Sequence, residues 1–528
     1  MQPHGDRRRE PSAGNIDSGA GPAGRLQAAV NLYRGGRIAE AERLCRDILA
    51  AEPDNVPAMV LCAQAMAHRD EVKGAMDLLQ QGLRLKPNSV PALNGLAVLS
   101  LRLGQPDAAK AACRRCLAVD PNNVVAFFNL GQIADAAGRP EEAVAAYGRA
   151  TELNGKFTAP LAPLAFALQK LGRLEEAVAA YRRVPAGDRS EFLAQFNLGL
   201  LYQGENQLAE AATAFSRAIE VNPADPGPRF QLGAVFYAMG RFDEAADAYR
   251  RVLEQKPDMV GAHGNLAKVL WARGDATGAL AACDDGLRQR PGDTTTIAFK
   301  AALLRETGDR AGAGVLVDFE RLLKPVRIAA PPGFGSVAEF NAAMTKFARE
   351  HPTLVFEPRN HATRDGRHTG DLMTQPQGPM EAFAEAVEGA VRQYMQELSL
   401  EAGHPFMAGR PARSRLSAWA VVMEGQGYQT PHIHPLAWLS GVYYASVPAD
   451  IAAGADQAGW IEFGEPLADY RFTAKPELRL IRPEEGLMLL FPSYFYHRTL
   501  PFSAGGTRVS IAFDMGDRVR PDARPLAV

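Results

Sequence analysis

The sequence predicts a multidomain α plus β protein, with an N-terminal all-α superhelix and a C-terminal double-stranded β-helix (jelly roll) that has flanking helices. Three observations predict this fold. Turn-forming and small residues recur every 34 positions over the first three-fifths of the 528-residue chain. Short runs of branched and aromatic residues, separated by Gly, Pro and Asp, follow residue 417. Three histidines and one arginine with the spacing of a metal site lie among those runs.

The first segment, residues 1–22, is rich in Gly, Pro and Arg and contains no apolar stretch. Such a composition cannot bury enough apolar surface to offset the cost of ordering the chain. We therefore expect a disordered tail here, and not a signal peptide, which would need an apolar central region.

The 34-residue period is carried by three kinds of residue. Steps from Gly36 meet glycine, or Asp and Asn once each, and these are the residues that best tolerate positive φ. Steps from Ala41 meet alanine at all nine positions, as expected where two helices touch closely. Steps from Pro53 meet proline at seven of nine positions. This is the tetratricopeptide pattern of paired helices, and it predicts about nine units over residues 23–325.

Units of this kind cannot bury their apolar faces alone, so they stack into a superhelix with a concave groove. The groove predicts a protein or peptide partner. A plain spacer or an oligomerisation platform is the alternative, because every residue that defines the repeat does so through packing.

Composition and cysteine placement indicate the class of protein. A formal charge of −2 and 47% hydrophobic residues show no global charge bias toward nucleic acid or an anionic membrane. No apolar run approaches the ~18 residues that span a bilayer. Cys45, Cys113 and Cys283 occupy a repeat position that holds Tyr or Phe in four other repeats, so they are expected in the core. We therefore expect a soluble cytoplasmic protein with neither a nucleic-acid nor a membrane partner.

The second domain is expected over residues 326–528, after a stiff linker at 325–335. Helices are predicted near 336–350 and 380–398. Predicted strands cover 417–423, 439–447, 460–463, 478–481, 486–491 and 508–513. We expect the Gly-containing segment 363–370 to be a solvated loop, and His351, His361, His368 and His404 to be ordinary polar residues.

The metal-site hypothesis starts from His432 and His434. Alternate side chains of an extended strand point the same way, so both imidazoles can reach one ion. His497 lies far enough along the chain to return a third imidazole from another strand of a barrel. Three ligands on one face leave open positions for substrate and oxygen. Arg508, expected at the head of the last strand, could bind a carboxylate bidentately beside the metal.

These motifs resemble a known family. Tyr428-Gln-Thr-Pro-His-Ile-His-Pro, Leu439-Ser-Gly-Val-Tyr-Tyr, Gly486-Leu-Met-Leu-Leu-Phe-Pro-Ser, His497 and Arg508-Val-Ser are similar to the 2-oxoglutarate- and Fe(II)-dependent oxygenases. The likeness is greatest to a bacterial His-x-His subgroup often fused to tetratricopeptide repeats, and more distant to prolyl hydroxylases. It implies iron binding at His432, His434 and His497. It also implies that Arg508, Ser510 and Tyr444 bind 2-oxoglutarate, and that O2 is the second cosubstrate.

One residue departs from the superfamily pattern, which normally places a carboxylate where this chain has His434. Either three imidazoles bind the iron, or His434 lies behind the ligands and a carboxylate such as Glu462 completes the set.

The resemblance implies a dioxygenase that hydroxylates a protein or peptide recruited by the repeat groove. Three alternatives stay open: a small-molecule oxygenase that uses the repeats for assembly, a repeat-based binding protein that has lost catalysis, and a cupin-like isomerase using zinc or manganese.

Overall fold

The structure is a computed structural model that describes residues 22–357, 362–374, 376–401, 403–454, 456–517 and 524–526. The expected tail lies outside these residues except for Pro22, which is the first residue of helix α1. Internal contacts divide the chain into two compact units, Met1–Pro223 and Ala224–Val528. Each unit is described by itself.

The first unit consists of helices joined in pairs by short turns. Its described residues form α1 Pro22–Arg34, α2 Ile38–Ala51, α3 Val56–His68, α4 Val72–Leu85, α5 Val90–Arg102, α6 Pro106–Val119, α7 Val124–Ala136, α8 Pro140–Leu153, α9 Leu161–Lys170, α10 Leu174–Arg182, α11 Glu191–Gly204 and α12 Leu208–Val221.

The 34-residue register has the structural meaning that the sequence predicts. The glycines of the Gly36 series have φ between 67° and 92°, and Asp70 and Asn206 have φ of 67° and 58°, so each ends the first helix of a pair in a left-handed turn. The alanines of the Ala41 series are at most 1% exposed, as close helix contact requires. Both predictions are confirmed.

A second repeating contact involves the aromatic residues and cysteines that share one core position. Tyr147, Phe215 and Tyr249 each pack with their ring directly on a glycine of the preceding helix. In the repeats that hold Cys45, Cys113 and Cys283 the corresponding residue is alanine, at positions 29, 97 and 267, as it is at position 165 in the repeat of Tyr181. Glycine therefore lies beneath three of the four rings. All five cysteines are buried and free, as the sequence predicts for Cys45, Cys113 and Cys283.

The second unit begins with three more helix pairs and a short helix, which pack against the sheet domain. Trp271 Nε1 donates to Tyr470 O at 2.8 Å, and Thr294 Oγ1 donates to Pro435 O at 2.8 Å. These elements and the sheets share one hydrophobic core. The helices are α13 Gly227–Ala238, α14 Phe242–Gln255, α15 Ala262–Ala272, α16 Ala276–Gln289, α17 Thr294–Glu306, α18 Arg310–Leu316 and α19 Phe319–Leu322.

The sheet domain contains two antiparallel sheets. One has the strand order β1-β9-β6-β11-β5-β4-β2, with β3 and β12 also pairing with β5, and the other has the order β10-β7-β8. The strands are β1 Lys324–Arg327, β2 Val355–Phe356, β3 Thr363–Arg364, β4 Arg367–His368, β5 Ser414–Gln429, β6 Leu439–Ser446, β7 Ile461–Phe463, β8 Arg479–Ile481, β9 Leu487–Pro492, β10 His497–Thr499, β11 Phe502–Gly516 and β12 Arg524–Leu526.

Helices α20 (Val337–Glu350) and α21 (Met380–Glu397) pack on this domain, as predicted, together with the short α22 (Pro405–Ala408) and α23 (Ala449–Ala453). Tyr443 donates a hydrogen bond to Asn341 of α20, and Tyr394 of α21 donates to Leu322 O at 2.9 Å. The α plus β architecture is confirmed, whereas the jelly-roll topology stays a prediction.

The expected linker at 325–335 was partly wrong. Its first residues belong to β1, which pairs with β9 so that Pro325 lies opposite Leu489. Proline is tolerated there because β1 is an edge strand and needs no hydrogen bond from that nitrogen. In the part of the chain that is described, no helix is both long and apolar enough to span a membrane.

Candidate metal centre

The three histidines of the motif meet at one place. His432 and His434 lie just beyond the end of β5, and not on a strand as expected, while His497 is the first residue of β10. His432 and His497 form an isolated antiparallel bridge, in which each backbone nitrogen donates to the other's carbonyl oxygen at 3.1 Å. The nitrogen of His434 donates to Ser493 O at 3.0 Å. The segment is therefore held against the β9–β10 connection although it leaves the sheet.

The imidazoles are arranged as a ligand set. One ring nitrogen from each of the three lies within 4.8 Å of the others. The ring centroids of His432 and His497 are 4.2 Å apart, and His434 lies 5.3 Å and 5.1 Å from them. Trp419 stacks on His434 at 5.6 Å. Phe463 and Phe491 contact His497, so the cluster is enclosed by aromatic rings.

Hydrogen bonds orient every ring in the same way. His432 Nδ1 is 2.8 Å from Thr430 O, His497 Nδ1 is 2.9 Å from Phe495 O, and His434 Nδ1 is 2.5 Å from Asp514 Oδ1. These oxygens only accept, so each Nδ1 carries the proton and each Nε2 is the nitrogen that is left for a metal. Burial lowers the pKa of His432 to about 3 and that of His497 well below its usual range. Both rings are consequently neutral, as ligands must be.

Arg508 is a buried cation. It lies in the middle of β11, and not at the head of the last strand as expected, and it is 1% exposed. Among the described residues its Nε has no hydrogen-bond partner, and its Nη1 lies 3.4 Å from Ser510 Oγ. Within the described ranges no carboxylate lies within ion-pair distance of it. Burial lowers the pKa of Arg508, an effect that Tyr444 opposes.

Tyr444 completes this corner of the site. Its ring lies under the guanidinium of Arg508, 5.3 Å from the ring centroid to Cζ, and its hydroxyl is buried and has no hydrogen-bond partner among the described residues. Burial raises the pKa of Tyr444 to about 12, so the phenol is neutral and can donate a hydrogen bond. Buried unsatisfied groups are costly unless a ligand satisfies them.

The histidine cluster and the arginine face one cavity of about 330 Å³, far more than one water molecule needs. The six residues implied by the resemblance line it together, namely His432, His434, His497, Arg508, Ser510 and Tyr444. Three nitrogen donors fit a divalent transition metal. The unsatisfied Nε of Arg508 and the hydroxyl of Tyr444 fit an anionic ligand in the same cavity.

Several residues that line the cavity were not predicted from the sequence. Asp514 is the most important of them, and a period of two would have found it, because Arg508, Ser510, Ala512 and Asp514 all line the cavity from β11. His368, Gln429 and Thr499 also line it, although they come from three different strands. No spacing rule connects residues on strands so far apart in sequence.

The alternative ligand Glu462 is not part of the histidine cluster of the described residues, and its carboxylate accepts from Arg498 Nε at 2.6 Å. One expectation about another segment was wrong. Segment 363–370 is not a solvated loop. It carries β3 and β4, and the buried His368 contacts Thr363 Oγ1 through Nε2 at 2.5 Å.

The remaining histidines of the sequence interpretation do not join the cluster of the described residues. His351 bonds Thr353 Oγ1 at 2.8 Å, and His404 accepts from Phe406 N at 3.2 Å at the start of α22. Both are structural polar residues, as predicted. His361 lies outside the described residues.

Family comparisons agree with this geometry. Residues 417–514 match the family described as "Putative 2OG-Fe(II) oxygenase". Residues 32–99, 100–156, 136–195 and 230–294 match families described as "Tetratricopeptide repeat", and 205–240 match "TPR repeat". The search of curated proteins finds no match to the chain.

The solved structures to which this chain is similar include proteins described as TPR proteins. The C-terminal part of a TPR repeat-containing protein from Cytophaga hutchinsonii is 16% identical with a TM-score of 0.39, over 45% of this chain and 97% of that chain. The Cut9–Hcn1 APC/C hetero-tetramer is 17% identical with a TM-score of 0.36, over 53% of this chain and 55% of that chain. YrrB, a TPR protein with an unusual peptide-binding site, is 21% identical with a TM-score of 0.29, over 34% of this chain and 92% of that chain. The chain thus joins tetratricopeptide repeats to a domain that matches the 2OG-Fe(II) oxygenase family.

Proposed function

We propose that the protein is a 2-oxoglutarate- and Fe(II)-dependent dioxygenase that hydroxylates a protein or peptide. The observation that carries the proposal is the buried Arg508, which faces the same cavity as the three imidazoles and pairs with no carboxylate of the described residues. A buried charge is expensive to leave unpaired. A ligand that is itself an anion and lies beside a metal would offset that cost.

Each residue then has a defined role. His432, His434 and His497 hold iron through their Nε2 atoms. Arg508 binds the far carboxylate of 2-oxoglutarate, with Ser510 and Tyr444 donating hydrogen bonds beside it. When bound, iron supplies the activation of O2 that couples the conversion of 2-oxoglutarate to succinate and CO2 with hydroxylation of a substrate C–H bond.

The rest of the cavity wall excludes water and orients the substrate. Ile433, Val442, Ile461 and Phe491 form an apolar part of the lining. Among the described lining residues only Arg508 and Asp514 are charged side chains. With Arg508 bound to the cosubstrate, an uncharged substrate group is the one that this wall accommodates without desolvating a second charge.

A surface of the first unit supports a peptide as the substrate carrier. The first helices of successive pairs, α1, α3, α5 and α7, line a groove of about 670 Å³. Val98 and Val125 are exposed there at 42% and 40%, beside the polar side chains of Gln64 and Asn94. Apolar anchors next to amide groups suit an extended peptide, whose backbone needs hydrogen-bond partners.

The test is an anaerobic titration of the metal-free protein with Fe(II) and then 2-oxoglutarate. A weak visible charge-transfer band is expected only when both are present, and the His432→Ala variant should lack it. His351→Ala, which removes a histidine outside the cavity, is the matched control and should keep the band. Admission of O2 should then release succinate. Bound iron without a band would favour an isomerase or a binding protein instead.

A further inference from the structure

His434 differs from the other two imidazoles in the acceptor behind it. His432 and His497 each donate from Nδ1 to a backbone carbonyl, which is neutral. His434 donates to the carboxylate of Asp514 at 2.5 Å. The side chains of His434 and Asp514 are 11% and 16% exposed, so water screens this pair little.

The sheet holds Asp514 in place. In the register of β11 it lies opposite Ser440 of β6, whose hydroxyl donates to Asp514 Oδ1 at 2.6 Å. The hydroxyls of Ser440 and Ser493 are 2.7 Å apart, and Ser493 O accepts from the backbone nitrogen of His434 at 3.0 Å. Both serines are fully buried. One network therefore fixes the ring and the backbone of His434 together.

The charge of the site gives this network its importance. Three neutral imidazoles leave both charges of a divalent cation uncompensated, whereas a carboxylate at position 434 would remove one. A carboxylate bound to the far nitrogen of a ligating imidazole raises the basicity of that ligand and brings a negative charge close to the metal. Asp514 is the carboxylate that lines the cavity in the described part of the chain.

We propose that Asp514 is a positioning residue that supplies, through His434, the negative charge that the oxygenase pattern places at position 434 itself. This inference rests on the part of the proposed function in which the histidine cluster holds a divalent cation. It does not require 2-oxoglutarate binding or turnover.

The first test measures the affinity of the metal-free protein for Co(II) and Mn(II) by calorimetry, without 2-oxoglutarate or O2. Asp514→Asn keeps the shape of the side chain and removes its charge, and we expect metal binding about 10- to 100-fold weaker. The matched control is Asp371→Asn. Asp371 also accepts from a serine hydroxyl of the sheet, Ser417 Oγ at 2.7 Å, but it does not line the cavity. The metal affinity of the Asp371→Asn variant should therefore equal that of the wild type.

A second test separates charge from shape. In the Asp514→Asn background His434→Asp restores one carboxylate to the site, and metal binding should become tighter than in Asp514→Asn alone. In the wild-type background Asp514 already supplies a negative charge, so the same substitution should tighten metal binding less. The difference between the two backgrounds is the specific expectation. Equal affinity of Asp514→Asn and wild type, or the same effect of His434→Asp in both backgrounds, overturns the inference.

Circular dichroism checks that each variant is folded. If Asp514→Asn does not fold, Ser440→Ala replaces it. That variant removes one hydrogen bond to Asp514, and about 2- to 10-fold weaker metal binding is expected. Unchanged affinity would again overturn the inference. A wild type that binds metal but shows neither the 2-oxoglutarate band nor succinate refutes the proposed function alone, because the affinities still test Asp514.

Discussion

The repeat helices of the first unit and the cavity around His434 bury different kinds of side chain. In the repeats, the 34-residue spacing places alanine and glycine where helices touch, and burial raises the pKa of the cysteine thiols. In the cavity, a guanidinium, a phenol and three buried or half-buried imidazoles lie together, and two of these groups have atoms without a hydrogen-bond partner among the described residues.

This difference shows how burial contributes to stability in each region. Most buried side chains of a repeat are apolar, and the same contact recurs in the next repeat, so burial there stabilises the fold. In the cavity, the desolvation of polar groups lowers the stability of the ligand-free protein. A ligand that binds to these groups offsets that cost. Local strain and unsatisfied polar groups of this kind concentrate at functional sites.

Arg508→Met is the substitution with the largest expected effect on the difference between the two regions. We expect 2-oxoglutarate binding to weaken about 100-fold or more, because a buried charged contact is lost. The ligand-free protein should become more stable by about 1–3 kcal/mol, since an unpaired buried charge is replaced by an apolar side chain. Binding titration and denaturant unfolding measure the two effects.

Arg498→Met is the matched control for that variant. Arg498 pairs with the buried Glu462 at 2.6 Å, so its removal leaves a carboxylate unpaired and should lower stability. A loss of stability in Arg508→Met as large as in Arg498→Met would show that Arg508 is a structural residue.

A smaller effect is expected in the repeats from Gly131→Ala. The new methyl carbon would lie within 3 Å of the Tyr147 ring, so the ring must shift. Overpacking of this kind costs about 1–3 kcal/mol, which exceeds the gain in helix propensity. Thermal unfolding followed by circular dichroism measures the change.

Gly148→Ala is the matched control for Gly131→Ala. Gly148 lies inside α8 with no atom within 4 Å of the added carbon, so the substitution should raise stability by about 0.5–1 kcal/mol. Opposite signs of the two changes would confirm that packing, and not backbone freedom, selects glycine beneath the aromatic ring. Stabilisation by both would contradict that account.

The smallest perturbation is a thiol reagent added to the native protein. Burial raises the pKa of Cys45, Cys113 and Cys283 to about 12 each, so almost no thiolate is present near neutral pH. We expect all five cysteines to react only after unfolding. Val315→Cys, at a position that is 60% exposed, should add one thiol that reacts at once. Fast reaction of a native cysteine would contradict the expectation that the buried thiols of the repeats are unreactive, unlike the polar groups of the cavity.

Much of this protein follows from sequence alone. The period of 34 residues identified the helix pairs, their left-handed turns and their buried alanines, because each depends on neighbours close along the chain. The six predicted strands were found for the same reason, although β11 begins at Phe502, earlier than expected. Residue type and order were also enough to select the three histidines and Arg508.

Only the tertiary structure decided what stands behind those residues. Asp514 reaches His434 across 80 positions of sequence, and Glu462 turns to Arg498 and away from the cluster. The edge strand β1 and the lining residue His368 are likewise set by pairing with distant strands. The physical reason is that sheet register and burial determine which polar side chains meet, and these depend on the packing of the whole domain and not on local pattern.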